Sequence, residues 1–459
     1  MPALSTPRSA EEARMLETAR RCLPGGVLGS ARFPDELAFI VKSGRGSKLY
    51  DLSGREYLDY LLGSGPLILG HGHPAVVEAV RRQLEHGTTY FLVNEPIVQL
   101  AEELCRAVAS AEQVRFTSTG TEATFFALRV ARAHRQREKI LKFEGGYHGS
   151  HDYALMSSTP RSPKAFPAAT ADSAGIPHVL EGEVLIAPYN DLPTVESLLA
   201  AYADELAAVI VEPFQRLIAP APGFLPGLRA ITERYQIPLI FDEVVTGFRF
   251  AYGGAQEQYR VVPDLACYGK IIGGGFPLAA VCGRRAIMQA FDPRLEGTPD
   301  FVAQVGTLNG NPIAAVAGLA TLAELRQPGA YARLHRVGRA LRDGFAELAT
   351  RSGLPAQVIG ETTVFDVFFT DRPITDYRAT LTSDGALLKA FNAACLERGI
   401  VKGSQKLYVS LAHTDEDVAR TLTAFEDALG TSPAAERPPH EPAACERAGH
   451  DLTRTRSRE

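Results

Sequence analysis

The chain has 459 residues, 45% hydrophobic and 22% charged, which argues against a collagen-like, coiled-coil or wholly disordered protein and leaves room for roughly two or three domains. Its net charge of -5, from 53 acidic against 48 basic residues with no basic block, speaks against nucleic acid as a partner. The six cysteines are widely spaced with no CxxC pair, so neither a disulfide framework nor a metal site is expected.

The amino end lacks an apolar leader core, and no run reaches the roughly 18 apolar residues of a membrane span. A cytoplasmic protein without membrane contact is expected. A polar helix is predicted from about Ser9 to Cys22, ended by Pro24-Gly25-Gly26, and Lys48 to Tyr60 reads as a hairpin. Helical spacing follows His73-Pro74 and recurs from Ile97 to Ala107.

Short apolar strands are predicted at Val114–Phe116, Lys139–Phe143, Leu206–Val211, Pro238–Phe241 and Leu265–Tyr268, mostly separated by a helix or long loop. That alternation implies an α/β fold around a mainly parallel sheet covered on both faces. Residues 154–180 are rich in Ser, Pro and Ala without periodicity, suiting a lid over a site. A helix from Ala330 to Gly353, the half-buried strand pattern Val364–Phe369 and the strand Leu407–Leu411 suggest a second, α+β domain. The boundaries expected are 1–75 for an N-terminal part of the small domain, 76–329 for the large domain, 330–430 for the rest of the small domain, and 431–459 for a disordered, dispensable tail poor in apolar residues.

Strand ends in open α/β sheets face ligands, and several here carry chemistry. Asp242 closes the strand before Glu243, and Lys270 leaves the next strand into Gly273-Gly274-Gly275. A lysine so placed, once desolvated, has the neutral amine that attacks carbonyls; an ordinary surface lysine is the alternative. Thr117-Ser-Thr-Gly-Thr-Glu-Ala123 opens a helix and suits phosphate, or is a simple N-cap. Glu144-Gly145-Gly146-Tyr147-His148-Gly149 puts a ring and an imidazole on a turn, and Glu212 to Gln215 follow another strand.

Two nucleotide-binding patterns compete with these. A P-loop is excluded by Asp264 where it needs glycine and Ile271 where it needs Ser or Thr. The pattern Gly70-His-Gly72-His-Pro-Ala75 fits a loose dinucleotide signature but lacks a clear ribose-binding acid downstream.

In order, Ser118 to Ala123, Gly146 to Gly149, Asp242 to Phe248, Gly269 to Gly275 and Gly306 to Pro312 resemble the class III, pyridoxal-phosphate-dependent aminotransferases, and within them the glutamate-1-semialdehyde aminomutase branch. The likeness runs from about Leu23 to Ala428. It implies a type I fold with a seven-stranded, mainly parallel sheet in the large domain, and a small α+β domain built from both chain ends. It also implies a homodimer with the active site at the subunit interface.

By this resemblance Lys270 holds pyridoxal 5'-phosphate as a Schiff base and Asp242 faces its ring nitrogen. Ser118, Thr119, Gly120 and Thr121 cradle the phosphate, Tyr147 stacks on the ring, and Val244 supports its other face. His148 and Glu212 belong to the same set, Gln215 meets the ring hydroxyl, and Thr307 reaches the other subunit's phosphate. Glu243 is expected to be structural, and Arg32 to hold a substrate carboxylate.

The implied activity is transfer of an amino group between an amino donor and a keto or aldehyde acceptor. The alternative is aminomutase chemistry, in which both halves occur on one molecule; a non-catalytic binding protein on the same fold is a remote third. Relative to the aminomutase branch, the 212–223 stretch is shorter and lacks an asparagine, and Leu28-Gly29 replaces Asn-Ser, which favours intermolecular transfer.

Overall fold

The computed structural model describes residues 6–29 and 32–430. The tail expected over 431–459 lies outside the described residues. The first helix, Ala10–Cys22, starts where Ser9 accepts the Glu12 N–H, and its buried Glu12 ties the helix to the Ile40 N–H at 2.8 Å and to Arg55 at 2.8 Å. Strands β1 (Val41–Arg45), β2 (Lys48–Asp51) and β3 (Glu56–Asp59) follow as an antiparallel meander.

The central sheet contains β4 (Gln113–Thr117), β5 (Lys139–Phe143), β6 (Val184–Ala187), β7 (Leu206–Val211), β8 (Leu239–Asp242), β9 (Leu265–Tyr268) and β10 (Ala279–Gly283), in the order β4-β10-β9-β8-β7-β5-β6. Only β10 runs against the others. Every residue of β6 to β10 is buried, as a sheet covered by helices on both faces requires. The sequence reading lacked β6 and β10: each is a run of only four or five residues, too short to be set apart from its surroundings by pattern alone.

The carboxyl-terminal region adds β11 (Gln357–Glu361), β12 (Val364–Phe368), β13 (Ile400–Val401) and β14 (Leu407–Tyr408). β13 pairs in parallel with β3, so the two ends of the chain share one sheet, while β11, β12 and β14 form another. The half-buried strand expected at 364–369 is instead buried throughout. Phe365 and Val367 join the main core, whereas Val364 and Phe368 pack on their opposite side with Phe214 and Phe250. Within the same strand, Asp366 is buried against Lys402 Nζ at 2.8 Å. The predicted strand over Leu407–Leu411 shortens to two residues.

The 154–180 segment is fastened rather than loose at its base. The fully buried Lys142 in β5 donates to the Ala154 and Met156 carbonyls at 2.8 and 2.5 Å and to Ser158 Oγ at 2.9 Å. Further on, the Tyr377 hydroxyl donates to the Pro160 carbonyl at 3.1 Å. The glycines near residue 70 also have a packing explanation. Gly70 has φ +82, and a Cβ there would meet Ala412 Cβ at 2.5 Å and the Gly46 carbonyl at 2.6 Å.

Candidate active site

A cavity of about 720 Å³ opens at the carboxyl ends of β4, β5, β7, β8 and β9. Its far wall comes from Ser64, Pro66, Phe368, Gly403–Lys406 and Tyr408. Of the residues singled out from sequence, Ser118, Thr119, Gly120, Thr121, Tyr147, His148, Glu212, Asp242, Val244 and Lys270 line it.

Asp242 ends β8 and is buried; one carboxylate oxygen sits 2.9 Å from His148 Nδ1 and the other accepts the Val244 N–H at 3.1 Å. The adjacent Glu243 faces away, accepting from the N–H groups of Ala255 and Gln256 and from the hydroxyls of Thr246 and Tyr268. Alternation along the strand therefore gives one acid to the cavity and the other to the scaffold.

Lys270 follows β9 with φ +51, a conformation uncommon outside glycine, and starts a short turn running to Gly273. Gly274 behind it has φ +57, and a Cβ there would meet the Ala317 carbonyl at 2.4 Å, so the turn closes tightly on the helix Pro312–Leu325. Burial makes the Lys270 amine a weaker base than usual; Lys406 and Arg249 push the same way, against the opposing pull of Tyr408 and Asp242.

At the end of β4, Thr119 caps the helix Gly120–Arg135, and Glu122 accepts the N–H groups of Ser118 and Thr119 at 3.0 and 2.9 Å. Among the described residues the Gly120 and Thr121 N–H groups have no acceptor, which leaves two donors and the positive end of a helix dipole at the cavity. Gly120 lies against Val244: a Cβ there would come within 3.0 Å of Val244 Cγ1.

The chain matches the family described as aminotransferase class-III over residues 30–429. It belongs to that family. This class III enzyme is 43% identical over 428 residues to the glutamate-1-semialdehyde 2,1-aminomutase of Desulforudis audaxviator, covering 91% of this chain and 97% of that protein. Its fold matches an omega-transaminase from Sphaerobacter thermophilus with a TM-score of 0.87 at 39% identity, covering 92% and 98% of the two chains. A transaminase solved with PLP bound matches at 0.83 and 32% identity, covering 91% and 96%.

The enzyme's cofactor is pyridoxal 5'-phosphate, and the residues present fit it. A lysine of weakened basicity, a buried strand-end carboxylate and a helix start with two free N–H groups suit its aldehyde, ring nitrogen and phosphate. Two buried polar atoms beside them, His148 Nε2 and Gln215 Oε1, have no hydrogen-bond partner among the described residues.

Three expected residues stand outside the cavity. Gln215 is buried just behind it, its amide donating to the Glu144 carbonyl at 2.8 Å. Thr307 is exposed on a loop that touches the helix start through Ser118 Oγ and Asn309 Oδ1 at 3.2 Å. Arg32 lies on the surface, its side chain 62% exposed and paired with Asp35 at 3.0 Å.

Sequence reasoning missed Arg216, Lys406, Tyr408 and, beneath the floor, Arg249. Arg249 is fully buried, with its guanidinium 4.9 Å from the Tyr408 ring centre and donating to the Gly65 carbonyl. Burial lowers its pKa to about 10. No spacing joins these four residues; only the positive φ of Arg216 marks it as unusual, and that is invisible in sequence. Among the described residues, no helix is long and apolar enough to cross a membrane, and none of the His, Cys, Asp and Glu residues form a metal-holding group.

Proposed function

We propose that this class III enzyme carries out the 2,1-aminomutase reaction on glutamate-1-semialdehyde, moving the amine to the neighbouring carbon of the same molecule. The observation that carries this reading is the 43% identity to an enzyme of that name over nearly its whole length. It reverses the preference drawn from the shortened 212–223 stretch. Intermolecular aminotransfer is the second reading, favoured by the closeness of the fold to the Sphaerobacter omega-transaminase.

Bound pyridoxal phosphate supplies a ring that accepts electrons from the carbon bearing the amine. In both readings Lys270 would hold the cofactor through its aldehyde and, once the substrate amine has displaced it, its free amine would take a proton from that carbon and deliver it to the cofactor, a task helped by its weakened basicity. Asp242, oriented by His148 and the Val244 N–H, holds a proton on the ring nitrogen. Ser118, Thr119, Gly120 and Thr121 bind the phosphate, while Tyr147 and Val244 hold the ring between them. Glu212 positions Tyr147 by accepting its N–H at 3.0 Å, and Gln215 meets the ring hydroxyl.

The working unit is a homodimer in which Thr307 completes the phosphate site of the other subunit. What supports this is the exposed apolar set Phe91, Leu92, Val93, Val305 and Leu308. The Asn311 side chain ties their two loops together by donating to the Thr88 carbonyl at 3.0 Å.

Purified enzyme should convert glutamate-1-semialdehyde without any added amino donor. Conversion of amino acids only when a keto acid or aldehyde acceptor is supplied would replace this reading with the second.

A further inference from the structure

Two cations in the cavity have no anion of their own. Among the described residues, the Arg216 guanidinium and the Lys406 amine each make no hydrogen bond or ion pair, although both line the cavity with Lys270. The Arg216 guanidinium carbon lies 5.4 Å from the centre of the Tyr147 ring. The cavity's two acids are engaged: Asp242 with His148 and Val244, and Glu212 with the Tyr147 N–H.

The backbone at Arg216 reinforces the point. Gln215 and Ile218 exchange both backbone hydrogen bonds, at 3.0 and 2.8 Å, around a two-residue turn formed by Arg216 and Leu217. Arg216 has φ +59 while Leu217 does not have a positive φ, the pattern of a II′ turn whose first central residue favours glycine. An arginine held there carries strain of about 1–3 kcal/mol, of the kind that gathers at ligand sites. Lys406 arrives from the opposite side, after Gly403-Ser404-Gln405 and one residue before β14.

We propose that Arg216 and Lys406 form the receptor for a substrate carboxylate, so that this enzyme takes amines and carbonyls bearing a carboxylate rather than neutral ones. The proposal rests on the cavity being the substrate site. A carboxylate reaching over Tyr147 accepts from the Arg216 fork on one side and the Lys406 ammonium on the other. Repulsion between the two is visible already: after burial, Arg216 is the largest influence lowering the Lys406 pKa to about 8, with Glu212 opposing it. An anion between them relieves that repulsion. Arg32, the residue expected to do this work, pairs with Asp35 at the surface of this chain.

The test is equilibrium binding of pentanoate and of pentanamide to the cofactor-loaded enzyme by calorimetry, because neither molecule can react. Pentanoate should bind and the amide should not. Arg216→Gly and Lys406→Met should each weaken pentanoate binding by about 10-fold or more. Arg216→Gly should also melt no lower than the parent, since glycine suits the turn. With the reacting substrate, KM should rise by a larger factor than kcat falls.

Equal binding of acid and amide, or unchanged pentanoate binding in either variant, would overturn the proposal. So would a loss of about 10-fold or more in pyridoxal phosphate affinity, read from its visible absorption, since such a loss assigns the cations to the cofactor's phosphate. Pentanoate binding can be measured even if the enzyme turns over neither glutamate-1-semialdehyde nor an amino acid, so failure of the assigned reaction stays separate from failure of this site.

Discussion

The two walls of the cavity are built by different means. On the sheet side, each acid at a strand end is already satisfied: Asp242 by His148 and the Val244 N–H, Glu212 by the Tyr147 N–H. Across the cavity, Lys406 on the far wall faces Arg216, which enters from the turn beyond β7, and neither has an anionic partner among the described residues. A wall whose charged groups are oriented within the chain is organised in advance for a cofactor, whereas unpaired cations need a ligand to complete them.

Breaking the sheet-side wall should have the largest effect. Lys270→Ala is expected to lower turnover by at least about 10³-fold while the melting temperature stays near the parent's. Substantial retained activity in that variant would remove the assigned role of the lysine. Asp242→Asn preserves shape but not charge, and a fall in kcat of about 10²- to 10³-fold is expected, measurable beside the cofactor's visible spectrum. The Arg216→Gly and Lys406→Met effects should be smaller and confined mainly to binding, which sharpens the contrast between the walls.

The smallest effect on activity is expected from Lys142→Met, which lies outside the cavity. It should cost about 2 kcal/mol of stability in denaturant unfolding, because the Ala154 and Met156 carbonyls lose their buried donor. Burial depresses the Lys142 pKa to about 7, so above that pH the unfolded chain binds the proton more readily than the folded one. Parent stability from this group therefore rises with pH, and the cost of the substitution should be greater at about pH 9 than at about pH 6. The opposite trend would mean that the ammonium form is favoured inside the fold.

Much of this site was legible in the sequence because strand-end motifs are local. A run such as Pro238 to Asp242 declares a buried strand and its exit, and the residue at the exit faces the ligand side by the geometry of the sheet. The same held for Lys270 after Leu265–Tyr268 and for the capped helix start at Thr119. β10 was not legible in this way, since five small apolar residues say nothing about direction, and its antiparallel placement depends on which neighbours remain to be paired.

The sequence by itself determined the family, the cofactor chemistry and the groups on the sheet side, because each follows from short-range pattern and from an ordered set of motifs. Only the tertiary structure decided that Arg216 and Lys406, 190 residues apart in the chain, share a cavity, each with no ion-pair partner among the described residues. It also decided that Arg32 pairs with Asp35 at the surface, that β13 joins the two ends of the chain in one sheet, and that Lys142 pins the base of the 154–180 segment. The physical reason is shared: burial and charge pairing depend on what the fold brings near, and no local pattern records which distant group a side chain will meet or lack.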